Sequence, residues 1–190
     1  MDVFLETERM LLRRFTESDV DNLVTLDGDP RVMRFLNGGD PISREEIETE
    51  VLPEILDHYK DFEEFGFWAA IEKGTGEFLG WFEFRPRDGG GVTNIELGYR
   101  LRSSAWGKGY ATEGARALIH KGFAEFGVRS VTATTMTVNV ASRRVMEKAG
   151  LTLVRTFHQP WPAYVDGAEH GDVEYRLARE EWQRRQTTTP

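Results

Sequence analysis

A mixed α/β domain of strand–helix–strand–helix–strand type is predicted by three features of the 190-residue chain. Short β-branched and aromatic runs are punctuated by turn residues, two apolar stripes recur at helical spacing, and runs of the two kinds alternate in the second half. With 39% hydrophobic and 12% aromatic residues, the chain suits one globular domain over residues 1–190 with a full core.

The elements follow in order. Leu5 to Phe15 reads as a first strand with partial alternation. Thr16 or Ser18 can cap a helix through Val20, Leu23, Val24 and Leu26 that ends at Gly28. Ser43 with Glu46 forms a capping box ahead of Ile47, Val51, Ile55 and Leu56, and Pro53 is expected to kink or split that acidic helix. Phe67–Ile71 and Phe78–Phe84 read as strands joined at Lys73–Gly76, and Gly89–Gly91 reads as a loop. A strand over Val92–Leu101 puts Ile95, Leu97, Tyr99 and Leu101 on one face. Ala111, Ala115, Leu118, Ile119, Gly122, Phe123 and Phe126 mark a helix, and Ser130–Thr137 a strand. Asn139 caps a short helix that stops at Gly150; strands near Leu151–Phe157 and Asp172–Ala178 follow, and residues 187–190 are expected to fray.

Composition excludes several functions. The net charge of −8 argues against a nucleic-acid or anionic-membrane partner, which selects a basic face. It is compatible with a cationic substrate and equally with mere solubility. There is no cysteine, so disulfides, thiolate metal sites and a catalytic thiol are ruled out. His58, His120, His158 and His170 show no metal-ligand spacing, and no metal is expected. The first residues lack the order of a signal peptide, and no apolar run approaches the roughly 20 residues that span a bilayer. A soluble cytoplasmic protein is the expectation.

Between the strand ending at Leu101 and the next helix lies Ser103-Ser104-Ala105-Trp106-Gly107-Lys108-Gly109-Tyr110-Ala111-Thr112. It is not a P-loop, because Gly109 follows Gly107-Lys108 and Arg102 stands where the first glycine belongs. Nor is it a dinucleotide fingerprint, because Thr112 replaces the third glycine. The stretch is therefore either a plain tight turn or a cradle in which N–H groups at a helix start meet an anion.

Trp106-Gly107-Lys108-Gly109-Tyr110-Ala111 resembles the Q/R-x-x-G-x-G/A acetyl-CoA signature of the GNAT superfamily of N-acetyltransferases, with Trp106 in place of Gln/Arg. That replacement, Ile95–Tyr99 upstream, and Asn139-x-x-Ser142 and Glu147-Lys148-x-Gly150 downstream are similar to the branch acetylating ribosomal-protein N-termini (the Rim type). "LETERMLLRRFTESD" and "VEYRLAREEW" are similar to the ends of that branch. The resemblance implies a mostly antiparallel mixed sheet with one splayed strand pair and flanking helices. It also implies acetyl-CoA as co-substrate, held by the backbone of Gly107 to Thr112, with Trp106, Lys108, Tyr110 and Ala111 in that stretch. Tyr99, Arg100 and Leu101 would line the pantetheine arm through their backbone, and Asn139 would hydrogen-bond it. Of Arg143 and Arg144, which follow Ser142, one could pair with a CoA phosphate and the other lie on a solvated helix face. Ser142 would protonate or solvate the leaving thiolate.

Glu96, opposite Ile95 and Leu97 on its strand, is the candidate base, acting through water once desolvation raises its pKa; an ordinary strand residue paired with Arg100 is the plain reading. Glu174 is a reserve. An α-amino group, with a pKa of about 8, needs less help from a base than lysine at about 10.4. His158, Trp161 and Tyr164 lie in a proline-bearing loop that either walls the amine pocket or simply packs. The resemblance favours a protein N-terminal amine as acceptor. A small-molecule amine or a non-catalytic acyl-CoA-binding module is the alternative, and a homodimer is compatible with each.

Overall fold

The computed structural model describes residues 2–87, 91–161 and 165–188, without the side chain of Thr188. Eight strands form one sheet in the order β1-β2-β3-β4-β5-β6-β8-β7, antiparallel except between β5 and β6.

The first expected strand is a hairpin. β1 (Val3–Glu6) and β2 (Met10–Arg14) flank a turn in which the Thr7 N–H reaches the Met10 carbonyl at 2.9 Å, so the polar run Thr7–Arg9 is turn and not strand. α1 (Val20–Asp27) ends at Gly28 as expected. α2 (Pro30–Asn37) was not among the expected elements, although Asp29-Pro30 is a helix start. Asp29 Oδ1 accepts the Arg31 N–H at 3.0 Å, and Pro30 occupies the first turn, where no N–H is needed.

Pro53 neither breaks nor splits its helix. α3 (Arg44–Glu46), capped by Ser43, runs through a wider π-type turn at Ile47–Val51 into α4 (Leu52–Asp61). The wide turn precedes the proline and absorbs the register change that a missing N–H demands.

β3 (Gly66–Glu72), β4 (Phe78–Pro86) and β5 (Asn94–Leu101) form the antiparallel centre, and β5 starts two residues later than expected. The expected loop at Gly89–Gly91 falls mostly outside the described residues. α5 (Tyr110–Glu125), β6 (Ser130–Met136), α6 (Val140–Lys148), β7 (Thr152–Phe157) and β8 (Asp172–Ala178) follow as predicted. A further helix, α7 (Arg179–Thr188), takes up Thr187 and Thr188, which were expected to fray.

Two apolar layers cover the two faces of the sheet. Leu118, Ile119 and Phe123 of α5 pack with Phe82, Phe84, Ile95 and Leu97 on one face, while Leu23, Leu26, Ile47 and Ile55 from the α1–α4 layer pack with Ala69 and Phe78 on the other. Gly114 lets α5 lie directly on the sheet, because a Cβ there would overlap the Phe82 ring.

β5 and β6 pair in parallel at three positions only, Asn94–Ser130, Ile95–Val131 and Glu96–Thr132. Among the described residues no pairing is recorded between Leu97–Leu101 and Ala133–Met136. The backbone groups on this edge of β5 are thereby left without a ladder partner, in the centre of the sheet and between its two layers.

Candidate active site

The β5–β6 opening is bordered by the glycine stretch, which runs from the end of β5 into α5. Gly109 is the N-cap of α5 at φ +86°, and no side chain caps the helix. The first intrahelical bond at this end joins the Glu113 N–H to the Gly109 carbonyl at 3.0 Å, so the preceding N–H groups have no acceptor within the helix. Gly107 also has a positive φ, +72°, and a Cβ placed there would meet nothing within 4 Å. The left-handed backbone at both positions requires glycine and keeps side chains away from these donors. Such a terminus, carrying the positive end of the helix dipole, fits a diphosphate.

The side chains of the stretch turn elsewhere. The Trp106 indole N–H donates to the Leu101 carbonyl at 2.8 Å, tying the loop to β5 although the ring itself is exposed. Tyr110 is buried and its hydroxyl donates to Glu72. Lys108 is exposed, while Ala111 and Thr112 are half-buried in the first turn of α5.

On the α1–α4 face of the sheet stand two carboxylates. Glu96 lies opposite Arg85, and Glu83 lies opposite Gly98 and pairs with Arg85. Burial raises the Glu83 pKa against the lowering effect of Arg85, and the negative charge of Glu96 adds to the rise. Glu83 was not singled out by sequence reasoning; its signal was alternation, which places it across from Gly98 on the face that Glu96 shares. Gly98 makes room for it, since a Cβ at that position would sit 2.7 Å from Glu83 Oε2. Arg100 is not Glu96's partner. It bonds to the fully buried Asp27 at 2.6 Å and lies 4.9 Å over the Trp81 ring.

The opposite face carries hydroxyls. Tyr99 Oη lies 3.0 Å from Ser142 Oγ and equally close to the Ser142 carbonyl. Burial raises the Tyr99 pKa, outweighing the hydrogen bond to Ser142, so the phenol stays protonated. Asn139 caps α6, accepting the Ser142 N–H at 3.3 Å and donating to Thr135 at 3.1 Å. Arg143 donates to Tyr175 at 3.2 Å and to the Thr137 carbonyl at 3.1 Å, within the fold.

Other candidates sit apart. Glu174 is clamped by Arg87 at 2.9 Å and Arg155 at 3.0 Å; burial alone would raise its pKa, but the two arginines bring it below the usual range and unsuit it as a base. His158 is exposed and contacts the Glu169 carbonyl at 3.3 Å. Trp161 is half-buried, and its indole N–H faces the Asp172 carboxylate. Tyr164 lies outside the described residues. Among the described residues no cluster of three or more His, Asp or Glu suits a metal, and no helix is long and apolar enough to cross a membrane.

Known proteins resemble this chain in sequence and in fold. The "Acetyltransferase (GNAT) domain" family model matches residues 9–152. An Aspergillus fumigatus protein named FsC-acetyl coenzyme A-N(2)-transacetylase is 35% identical over 188 residues, 96% of this chain and 79% of its own length. The solved structure of RimL, a ribosomal L7/L12 alpha-N-protein acetyltransferase in complex with coenzyme A, superposes with TM-score 0.77 at 21% identity, covering 95% of this chain and 99% of its own. Spermidine N-acetyltransferase from Vibrio cholerae, in complex with CoA and spermine, does so with TM-score 0.73 at 12% identity, covering 92% and 98%. These two structures show the fold alone. The family model, spanning most of the sequence, and the 35% relative establish the chain as a member of the GNAT acetyltransferase family.

Proposed function

We propose that this protein transfers the acetyl group of acetyl-CoA to the primary amine of a small molecule. The observation that carries the transfer is the uncapped α5 terminus at Gly107–Thr112 next to the unpaired edge of β5. The terminus suits the diphosphate, and the strand edge suits the amides of the pantetheine arm. A β5 N–H facing the thioester oxygen would contribute about 3 kcal/mol to stabilising developing negative charge.

In this reading Glu96 takes the ammonium proton, directly or through water, and the free amine attacks the thioester carbonyl. A C–N bond forms as the C–S bond breaks. Ser142 Oγ–H, backed by the protonated Tyr99 phenol, donates to the departing thiolate, and the second proton lost by the attacking nitrogen restores the serine hydroxyl. Base and acid lie on opposite faces of the sheet, so the nucleophile enters from one side and the leaving group departs on the other. Ser142→Ala is expected to lower kcat about tenfold, a modest loss because a thiolate leaves readily, while the KM for acetyl-CoA changes less than twofold. Equal losses in kcat and in acetyl-CoA affinity would make Ser142 a binding residue.

The acceptor class rests on the N(2)-transacetylase relative, whose match covers 96% of this chain and 79% of the relative. Arg34 of α2 pairs with Asp166 of the β7–β8 loop at 3.0 Å, which ties that loop to α2. The Asn139-x-x-Ser142 motif supports the second reading, a protein N-terminal amine. A panel of small amines and N-terminal peptides, read by free-thiol release, separates them. Small amines are expected to give kcat/KM values at least about tenfold above any peptide. The reverse order would move the reading to protein N-termini. Acetyl-CoA binding with no thiol release from any amine would leave a binding module.

A further inference from the structure

Arg9, in the turn between β1 and β2, presses on the glycine loop from outside the opening. Its Nη1 donates to the Lys108 carbonyl at 2.9 Å, and its Nε and Nη2 both reach Glu113 Oε2 at 2.7 Å. The guanidinium carbon lies 4.3 Å from the centre of the Tyr110 ring, and Nη2 would be 3.4 Å from a Cβ on Gly109. The turn that carries Arg9 is itself anchored. The Arg9 and Thr7 carbonyls accept from Lys73 N–H at 2.9 Å and from Lys73 Nζ at 2.6 Å.

This arrangement has two consequences for the loop. Lys108 stands between two glycines of left-handed backbone, and such a segment has many conformations open to it. Holding the Lys108 carbonyl on Arg9 orients the whole Lys108–Gly109 peptide plane, so the Gly109 N–H points away from Arg9. The second consequence is electrostatic. Glu113, in the first turn of α5, suits the helix dipole but would repel a phosphate bound at the same terminus. Burial would raise its pKa, yet hydrogen bonds from Thr7 Oγ1 at 2.6 Å and from the Arg9 N–H at 2.8 Å, with the guanidinium, hold it below the usual carboxylate range. Glu113 is thus ionised, and Arg9 is its counter-charge.

We infer that Arg9 is a positioning residue for diphosphate recognition: it orients the Lys108–Gly109 peptide and counters the charge of Glu113 at the helix start. This rests on the acetyl-CoA reading above and assigns a role outside the signature stretch.

Steady-state kinetics with two thioesters tests it: acetyl-CoA, and S-acetylpantetheine, which carries no phosphate. Arg9→Gln is expected to raise the KM for acetyl-CoA about tenfold, the loss of one charge-assisted hydrogen bond, with kcat within about twofold. Its kcat/KM for S-acetylpantetheine should match the wild type within about twofold, since the removed interaction concerns only the phosphates. Adding Glu113→Gln should recover part of the acetyl-CoA loss by removing the repelling charge. Arg9→Lys keeps the charge without the fork and should fall between; it also serves as the readout if Arg9→Gln does not fold. An unchanged KM for acetyl-CoA, or equal losses with both thioesters, would overturn the inference. Wild-type protein inactive with acetyl-CoA would instead overturn the functional reading beneath it.

Discussion

Gly109→Val is expected to weaken acetyl-CoA binding by at least about a hundredfold, measured by titration calorimetry. Two costs combine. The left-handed conformation at φ +86° is worth about 1–2 kcal/mol against an ordinary L-residue and more against a β-branched one. A relaxed valine backbone would also reorient the N–H groups that open α5, each a donor to charged oxygen worth about 1.5–3 kcal/mol. The position tolerates the added volume, since Arg9 is the only group a Cβ would approach within 4 Å among the described residues. The melting temperature should fall by about 5 °C, the scale of that backbone strain, a far smaller effect than the loss of affinity. Unaltered affinity for acetyl-CoA would remove the cradle from the site.

Glu96→Gln is expected to lower kcat/KM for the amine by about a hundredfold, the scale of a positioned general base. The acidic limb of the pH–rate profile carries the finer information. Glu83 and Glu96 share one face, and the negative charge of Glu96 adds to the burial that raises the Glu83 pKa. A base works only when ionised, so Glu96 acting as base predicts an acidic limb on which the rate falls as pH drops. Glu83→Gln removes the raised group and should move that limb to lower pH while retaining more activity than Glu96→Gln. Glu83 also makes the fold respond to pH. Because its folded-state pKa is raised, it favours the folded state at low pH, and this contribution is lost as pH rises through the folded value. A Glu96→Gln profile identical to wild type would exclude Glu96 as base; loss of activity confined to Glu83→Gln would hand it the role.

Much of this was legible before any coordinates. Alternation placed Ile95, Leu97, Tyr99 and Leu101 on the core face and Glu96 on the other, because side chains of a strand alternate whatever surrounds it. The capping roles of Ser43 and Asn139 were equally readable, being contacts of a few residues' range. The β1–β2 turn and α2 escaped by competing local signals. Polar Thr7–Arg9 sat inside a run taken as one strand, and Asp29-Pro30 followed directly on a helix-ending glycine.

Tertiary structure alone decided the pairings between distant segments. Sequence offered Arg100 as the partner of Glu96, whereas folding turned it to Asp27, 73 positions earlier. It brought Tyr99 to Ser142 across 43 positions, and Arg9 to Lys108 across 99. No periodicity encodes such contacts, because they depend on how helices and hairpins dock on the sheet and not on the spacing within any one of them. By itself the sequence determined a glycine-led helix start after a strand, since left-handed backbone selects glycine locally. What the fold added around that start is a strand edge without a ladder partner beside it, and an arginine from the N-terminal turn paired with the glutamate of its first helical turn.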